Sequence, residues 1–134
     1  MQPFEFLIRS RPVSQQTRRQ RRLDEWKDFV RREAERSWTP IHTLADGPVC
    51  VTLIYLYDEA ALDIDNIVKP IQDALIGLAF RDDSLVTDAI IRRRQLRGTF
   101  DLTRAPPVLV EGFEYGGEFV YVWIDDAPPQ DQFT

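Results

Sequence analysis

An α/β (α+β) fold, a single compact domain with a mixed β-sheet and two main helices, is what this chain of 134 residues predicts. Three observations carry that expectation. The length suits one domain with a real core. Apolar residues at 43% and charged residues at 29% are those of an ordinary globular protein. Segments of strand and helix periodicity follow one another without any internal repeat. The domain is expected to span residues 1–125, with residues 126–134, which contain Pro128-Pro129, forming a disordered tail.

Phe4 to Ile8 reads as a short strand that ends before Arg9-Ser10-Arg11-Pro12. Ser14 to Arg22 is a polar, arginine-rich connection. Thr17 or Asp24 can cap a helix that continues to about Ser37, with Leu23, Trp26, Phe29 or Val30, and Ala34 recurring at helical spacing. Pro40 and Asp46-Gly47-Pro48 break the chain. Val49 to Tyr57, β-branched and aromatic, is a strong strand.

Asp58 to Leu62 is a loop, and a second helix begins near Asp65 or Asn66, both good caps. Pro70 is expected in its first turn, where a missing N–H costs least. Ile67, Ile71, Leu75 and Leu78 form its apolar stripe. After Asp82-Asp83, Leu85 to Arg97 contains a strand, bent or bulged. Gly98 to Val108 is loop-like, and Gly116-Gly117 opens a last strand, Glu118 to Ile124.

Composition narrows the function. No apolar run approaches the length of a bilayer span, and Met1-Gln2-Pro3-Phe4-Glu5 lacks a signal-peptide pattern, so a cytoplasmic protein without membrane contact is expected. Cys50 is the only cysteine; an internal disulfide and a cysteine-based zinc site are both excluded. In its apolar run, Val49-Cys50-Val51, it is expected to be a buried small hydrophobe. The net charge of −5 argues against indiscriminate nucleic-acid binding, yet it is unevenly distributed. Residues 1–36 hold ten basic and six acidic side chains, and the remainder seven basic and sixteen acidic. The N-terminal third is therefore the candidate polyanion-facing surface.

Five carboxylates, a lysine and an asparagine fall between Asp63 and Asp83, and the positions between them are largely apolar. Apolar neighbours hold the carboxylates against a core, where they repel one another unless a cation intervenes; hard cations such as Mg²⁺ are bound through carboxylate oxygens. Asp63 and Asp65 flank the helix start, where free N–H groups favour anions. Lys69 lies one turn beyond Asp65 and Asp73 one turn beyond Lys69. For Asp82 or Asp83 to reach the helix N-terminus, the following strand has to fold back along the helix.

Singly, each residue has a structural use: Asp65 or Asn66 as a cap, Lys69–Asp73 as a surface pair, Asp82-Asp83 as a turn. Together they point to a metal-dependent active site. An EF-hand loop is excluded because Ile67 and Val68 stand where oxygen ligands belong. A phosphatase of the haloacid dehalogenase type follows Asp-x-Asp with Gly-Thr, where this chain has Asn66-Ile67. His42 is the only histidine, so a nucleophilic triad is poorly supported and His42 is expected to be a loop or surface residue.

The pattern Asp63-x-Asp65-Asn66-x-x-Lys69-x-x-x-Asp73-Ala74-Leu75-x-Gly77, then Asp82-Asp83-x-x-Val86, resembles the signature of the RusA family of Holliday junction resolvases. The resemblance implies a RusA-like fold and a homodimeric, Mg²⁺-dependent endonuclease, with Mn²⁺ as a substitute ion. Such an enzyme makes paired symmetric nicks in branched DNA, the four-way junction, during DNA recombination and repair. It makes Asp63, Asp65 and Asp83 the metal-binding carboxylates and Lys69 the essential lysine, with Asn66, Asp73 and Asp82 supporting. Family members carry basic residues just ahead of the first aspartate; here the loop is Tyr57-Asp58-Glu59-Ala60-Ala61-Leu62, which repels phosphate. Arg18, Arg19, Arg21 and Arg22, together with Arg92, Arg93, Arg94 and Arg97, are the expected DNA-binding substitutes. A second enzyme reading is a nuclease for other branched DNA; the readings from other classes are a non-catalytic DNA- or partner-binding module of the same fold, and a metal-binding or protein-interaction domain without a nucleic-acid role.

Overall fold

The computed structural model describes residues 1–133; of the expected tail, Thr134 lies outside the described residues. The elements are β1 (Phe4–Ile8), α1 (Gln20–Ser37), β2 (Val49–Tyr57), α2 (Asp65–Leu75), β3 (Val86–Gln95), α3 (Pro107–Gly112) and β4 (Phe119–Asp126), with 3₁₀ turns at Asp83–Leu85 and Phe113–Tyr115. The four strands form one sheet in the order β1-β4-β2-β3. β4 is antiparallel to β1 and β2, whereas β2 and β3 are parallel, so the sheet is mixed as expected.

Alternation along β2 divides the core in two. Val49, Val51, Leu53 and Tyr55 face the larger cluster, which Trp26, Val30 and Ala34 of α1 and Ile67, Ile71 and Leu75 of α2 complete. Leu56 faces the other way, into a smaller cluster with Leu7, Leu109, Phe119 and Tyr121 beneath α3. Ile67 and Ile71 are fully buried, each worth about 1.5–3 kcal/mol, so α2 is clamped to the sheet along its whole inner face.

Several boundaries differ from the sequence expectation, each for a local reason. Neither Thr17 nor Asp24 caps α1: the Thr17 hydroxyl accepts from the Arg19 N–H, Asp24 accepts from Gln20, and Arg19 stands at the uncapped N-terminus. α2 stops at Leu75, so Leu78 lies beyond it, half-buried against the core; Gly77, at φ 85°, turns the chain there and donates its N–H to the Phe80 carbonyl. β3 spans Val86–Gln95 and carries the expected irregularity as a register shift opposite Val49/Cys50, which leaves Thr87 as the extra residue. β4 continues through Asp125 and Asp126, and the Ala127 N–H donates to the Pro48 carbonyl. Cys50 is half-exposed rather than buried, because α3 covers only the far half of its sheet face; partial burial still pushes its thiol pKa up.

α3 is a third helix that periodicity could not reveal. Its six residues are less than two turns, and it begins at Pro107, whose fixed φ suits a first helical position. It ends at Gly112, against the Phe119 ring. A Cβ at Gly112 would stand 2.2 Å from Phe119 Cε2, and that ring is fully buried. Gly112→Ala is therefore expected to lower stability by about 1–3 kcal/mol, read as a reduced urea midpoint at unchanged m-value.

Candidate active site

Parallel strands cannot be joined by a hairpin, so the chain leaving β2 at Tyr57 must cross over through α2 before β3 runs in the same direction. The crossover puts the start of α2 beyond the carboxyl end of β2, the edge where open α/β sheets carry their sites. Asp63 and Asp65 stand there, both exposed. Among the described residues neither carboxylate has a salt-bridge partner or a side-chain hydrogen bond. They share a shallow concavity with Ile91, Arg92, Arg93 and Arg94 of β3.

Asn66 serves through its backbone. Pro70 is the sixth residue of α2, beyond the first turn in which it was expected. Lacking an N–H, it leaves the Asn66 carbonyl without its intrahelical donor. The Gln15 N–H takes that place at 2.8 Å, which docks the arginine-rich connection onto the helix start. Pro70→Ala restores the competing donor. Amide exchange at Gln15 is expected to quicken about fivefold while the amides of α2 stay protected, as hydrogen-exchange NMR would show.

Lys69 projects from the next turn. Its ammonium donates to Asp73 Oδ1 at 2.9 Å and to Asp83 Oδ2 at 3.1 Å, and these hydrogen bonds, Asp73 foremost, raise its pKa. Lys27 of α1 lies 3.5 Å from Asp73, which two lysines therefore share. Asp83 opens the 3₁₀ turn ahead of β3 and meets α2 at the Lys69–Asp73 turn. Asp82 is exposed and shapes that turn instead: its carboxylate accepts from the Ser84 hydroxyl at 2.6 Å, which holds its pKa below the usual range. Among the described residues, no three carboxylate, histidine or cysteine side chains converge closely enough to hold a metal ion. The structure thus brings Lys69, Asp73 and Asp83 together, and it brings Asp63 and Asp65 together with the β3 arginines.

Two arginine groups flank the Asp63 loop. Arg93 donates to the Leu62 carbonyl at 3.0 Å and lies 5.9 Å from the centre of the Tyr57 ring, while Arg92 and Arg94 are also exposed. On the other side, Arg22 lines a hollow with Arg11 and Leu62. Arg18 and Arg19 are exposed, and Arg21 pairs with Glu25 within α1. Arg97 does not join Arg92, Arg93 and Arg94; it pairs with Asp58 at 3.0 and 3.2 Å. That pairing offsets one of the two acidic charges in the loop that was expected to repel phosphate. His42, as expected, is a loop residue; its ring accepts from the Thr39 N–H and packs on Phe4 and Trp38.

One cluster escaped the sequence reading. Arg11 Nη1 donates to Glu118 at 3.0 Å and to the Ala60 carbonyl at 2.7 Å, and the Tyr55 hydroxyl donates to Glu118 at 2.5 Å. These residues come from the basic connection, β2 and the start of β4, and their contact with Ala60 steadies the loop that leads to Asp63. Nothing in their spacing could have announced it, since a Tyr in an apolar strand and a Glu after two glycines are commonplace. Burial and then the Glu118 carboxylate raise the Tyr55 pKa well above its ordinary value near 10. The neutral hydroxyl therefore contributes stability in full below pH 10, and the contribution is lost as pH rises beyond that. Chemical denaturation from pH 8 to 11 is expected to show a decline that Tyr55→Phe reduces, with Tyr121, similarly raised by burial and Glu5, keeping the remainder.

A comparison with curated proteins returned no match. The family model described as Endodeoxyribonuclease RusA matches residues 8–100, from the end of β1 past β3. With both arginine groups and all the clustered carboxylates inside the matched span, well over half of the chain, this protein belongs to the RusA family of endodeoxyribonucleases.

Proposed function

We propose that this endonuclease is metal-dependent and resolves four-way DNA junctions by paired symmetric nicks, as a cytoplasmic homodimer acting in DNA recombination and repair. The observation that carries the reading is the exposed Asp63–Asp65 pair, free of cationic partners among the described residues and bordered by Arg92, Arg93 and Arg94. In kind, the donors fit a hard divalent ion: all are carboxylate oxygens, and two of them are uncommitted. Asp63, Asp65 and Asp83 would hold Mg²⁺, with Mn²⁺ as a substitute. Such an ion supplies hydroxide near neutral pH and takes up charge on the phosphate.

The chain's own groups account for binding and orientation. Arg93, fixed on Tyr57 and on the Leu62 carbonyl, presents its guanidinium beside Asp63. Arg92 and Arg94 extend the positive edge along which a phosphodiester backbone can lie. Arg18, Arg19 and Arg22 supply a second positive surface across the loop. Lys69 offers a mobile point charge that Asp73 and Asp83 keep near the site, suited to charge developing on the phosphate. DNA affinity should fall steeply with salt as counterions are released.

A second reading has its own observation. Asp83, bonded to Lys69 as an ion pair, suits a DNA-binding module of this fold that does not cut. Cleavage of a labelled four-way junction beside matched linear duplex, with Mg²⁺ or EDTA, separates the two. Paired nicks on the junction alone, dependent on Mg²⁺ and reduced at least about 100-fold in Asp65→Asn and Asp83→Asn, are expected for the nuclease. A wild-type protein that shifts the junction but never nicks it is a binding module, and cleavage of flaps or forks in preference to the junction changes the substrate.

A further inference from the structure

We propose that Glu118 is a positioning residue for strand cleavage: through Arg11 it holds residues 58–62, and with them the Asp63 carboxylate, in one working position, a role that rests on the nuclease reading above. The loop needs such a tie. Among the described residues, no main-chain hydrogen bond involves residues 58–62. Side chains hold alternate carbonyls instead: Gln95 donates to Asp58 at 2.7 Å, Arg11 to Ala60 at 2.7 Å and Arg93 to Leu62 at 3.0 Å. Gln95 and Arg93 both belong to β3 and fix one flank of the loop. Arg11 arrives from the other flank, and its contact falls three residues before Asp63.

Glu118 in turn fixes Arg11. It stands one residue ahead of Phe119, the last partner of β2, and therefore on the same face as Tyr55, which pairs with Val120. Its side chain is 13% exposed, deep enough that an unpaired carboxylate there would be costly. Oε1 accepts from the Tyr55 hydroxyl at 2.5 Å and Oε2 from Arg11 Nη1 at 3.0 Å. Stability alone does not call for a charge at this depth, since an apolar side chain of similar volume avoids the desolvation cost. What the charge adds is a fixed guanidinium. The same Nη1 reaches the Ala60 carbonyl, so carboxylate, guanidinium and loop form one line from the sheet towards Asp63.

Two consequences set this role apart from a general contribution to stability. Arg11 and Arg22 line one hollow beside Leu62, so by charge alone the loss of the Glu118 carboxylate favours DNA binding. Positioning requires the opposite for cleavage, which must slow although binding holds or tightens. Both contacts also leave from a single nitrogen, so one ammonium in its place can keep them. Arg11→Lys therefore preserves what Arg11→Met removes.

Backbone amide relaxation by NMR, on the full chain without DNA or metal, tests the tie directly. Order parameters over residues 59–63 are expected to fall from about 0.85 in the wild type to about 0.6 in Glu118→Gln and Arg11→Met, and to stay high in Arg11→Lys. With Mg²⁺ and a labelled four-way junction, kcat is expected to fall at least about tenfold in Glu118→Gln and Arg11→Met. KM is expected to be unchanged or lower in Glu118→Gln, and Arg11→Lys to recover most of kcat. Arg11→Met, made at a half-exposed side chain, guards against a Glu118 variant that fails to fold by circular dichroism. Unchanged loop order in both variants, a loss in Glu118→Gln carried by KM alone, or no recovery in Arg11→Lys overturns the proposal. Loop order is read without cleavage, so a wild type that never cuts DNA overturns the nuclease reading, while unchanged loop order overturns the tie whatever is cut.

Discussion

The parallel pairing of β2 with β3 is the constraint on which the rest of this molecule depends. Tyr57 pairs with Gln95 at one end of the ladder and Val49 with Val86 at the other, so both strands run the same way through the sheet. The chain must return over one face between them, and α2 is that return. Burial of Ile67, Ile71 and Leu75 against the odd-numbered residues of β2 fixes the rotation of α2 about its axis. Once that rotation is fixed, Asp65, Lys69 and Asp73, on the opposite stripe, have to face outward. The site is thus the polar side of a helix whose apolar side is committed to the core.

The same crossover separates the carboxylates into two groups. Asp63 precedes α2 and Asp65 opens it, both beyond the carboxyl end of β2; Asp83 precedes β3 and belongs to its amino end. Lys69 spans part of that separation by bonding to Asp83 and Asp73 together. An ammonium between two carboxylates lowers their mutual repulsion without metal, which explains how Asp73 and Asp83 can stand close together.

Two further ties set the surroundings. Pro70 removes a donor from the helix and the Gln15 N–H takes its place, so a helix-disfavouring residue becomes the anchor for the basic connection. Arg11 meets Glu118, Tyr55 and Ala60, joining the connection, the sheet and the Asp63 loop at one point. Together they hold one arginine group on the connection side of the loop, while the β3 ladder holds the other on the opposite side. Arg97, by pairing with Asp58, moderates the acidity of the loop between them.

The sequence by itself determined the sheet-forming segments, the apolar stripe of α2, and the spacing that brings Lys69 between Asp65 and Asp73. Those features depend on periodicity and on residue chemistry over a few neighbours, which a linear string records. It also carried the family, since the Asp63–Val86 pattern lies within the matched span. Only the tertiary structure decided that Asp83 meets Lys69, that Arg97 belongs to Asp58, and that Glu118 steadies the loop. Each of those contacts joins residues more than a dozen positions apart, and each follows from sheet order and crossover geometry. α3 escaped for the opposite reason: six residues are too few to show a period, and its place comes from Leu109 and the gap that Gly112 leaves for Phe119. Cys50 is half-exposed because a helix that short covers only part of a sheet face, a fact about area that no local pattern contains.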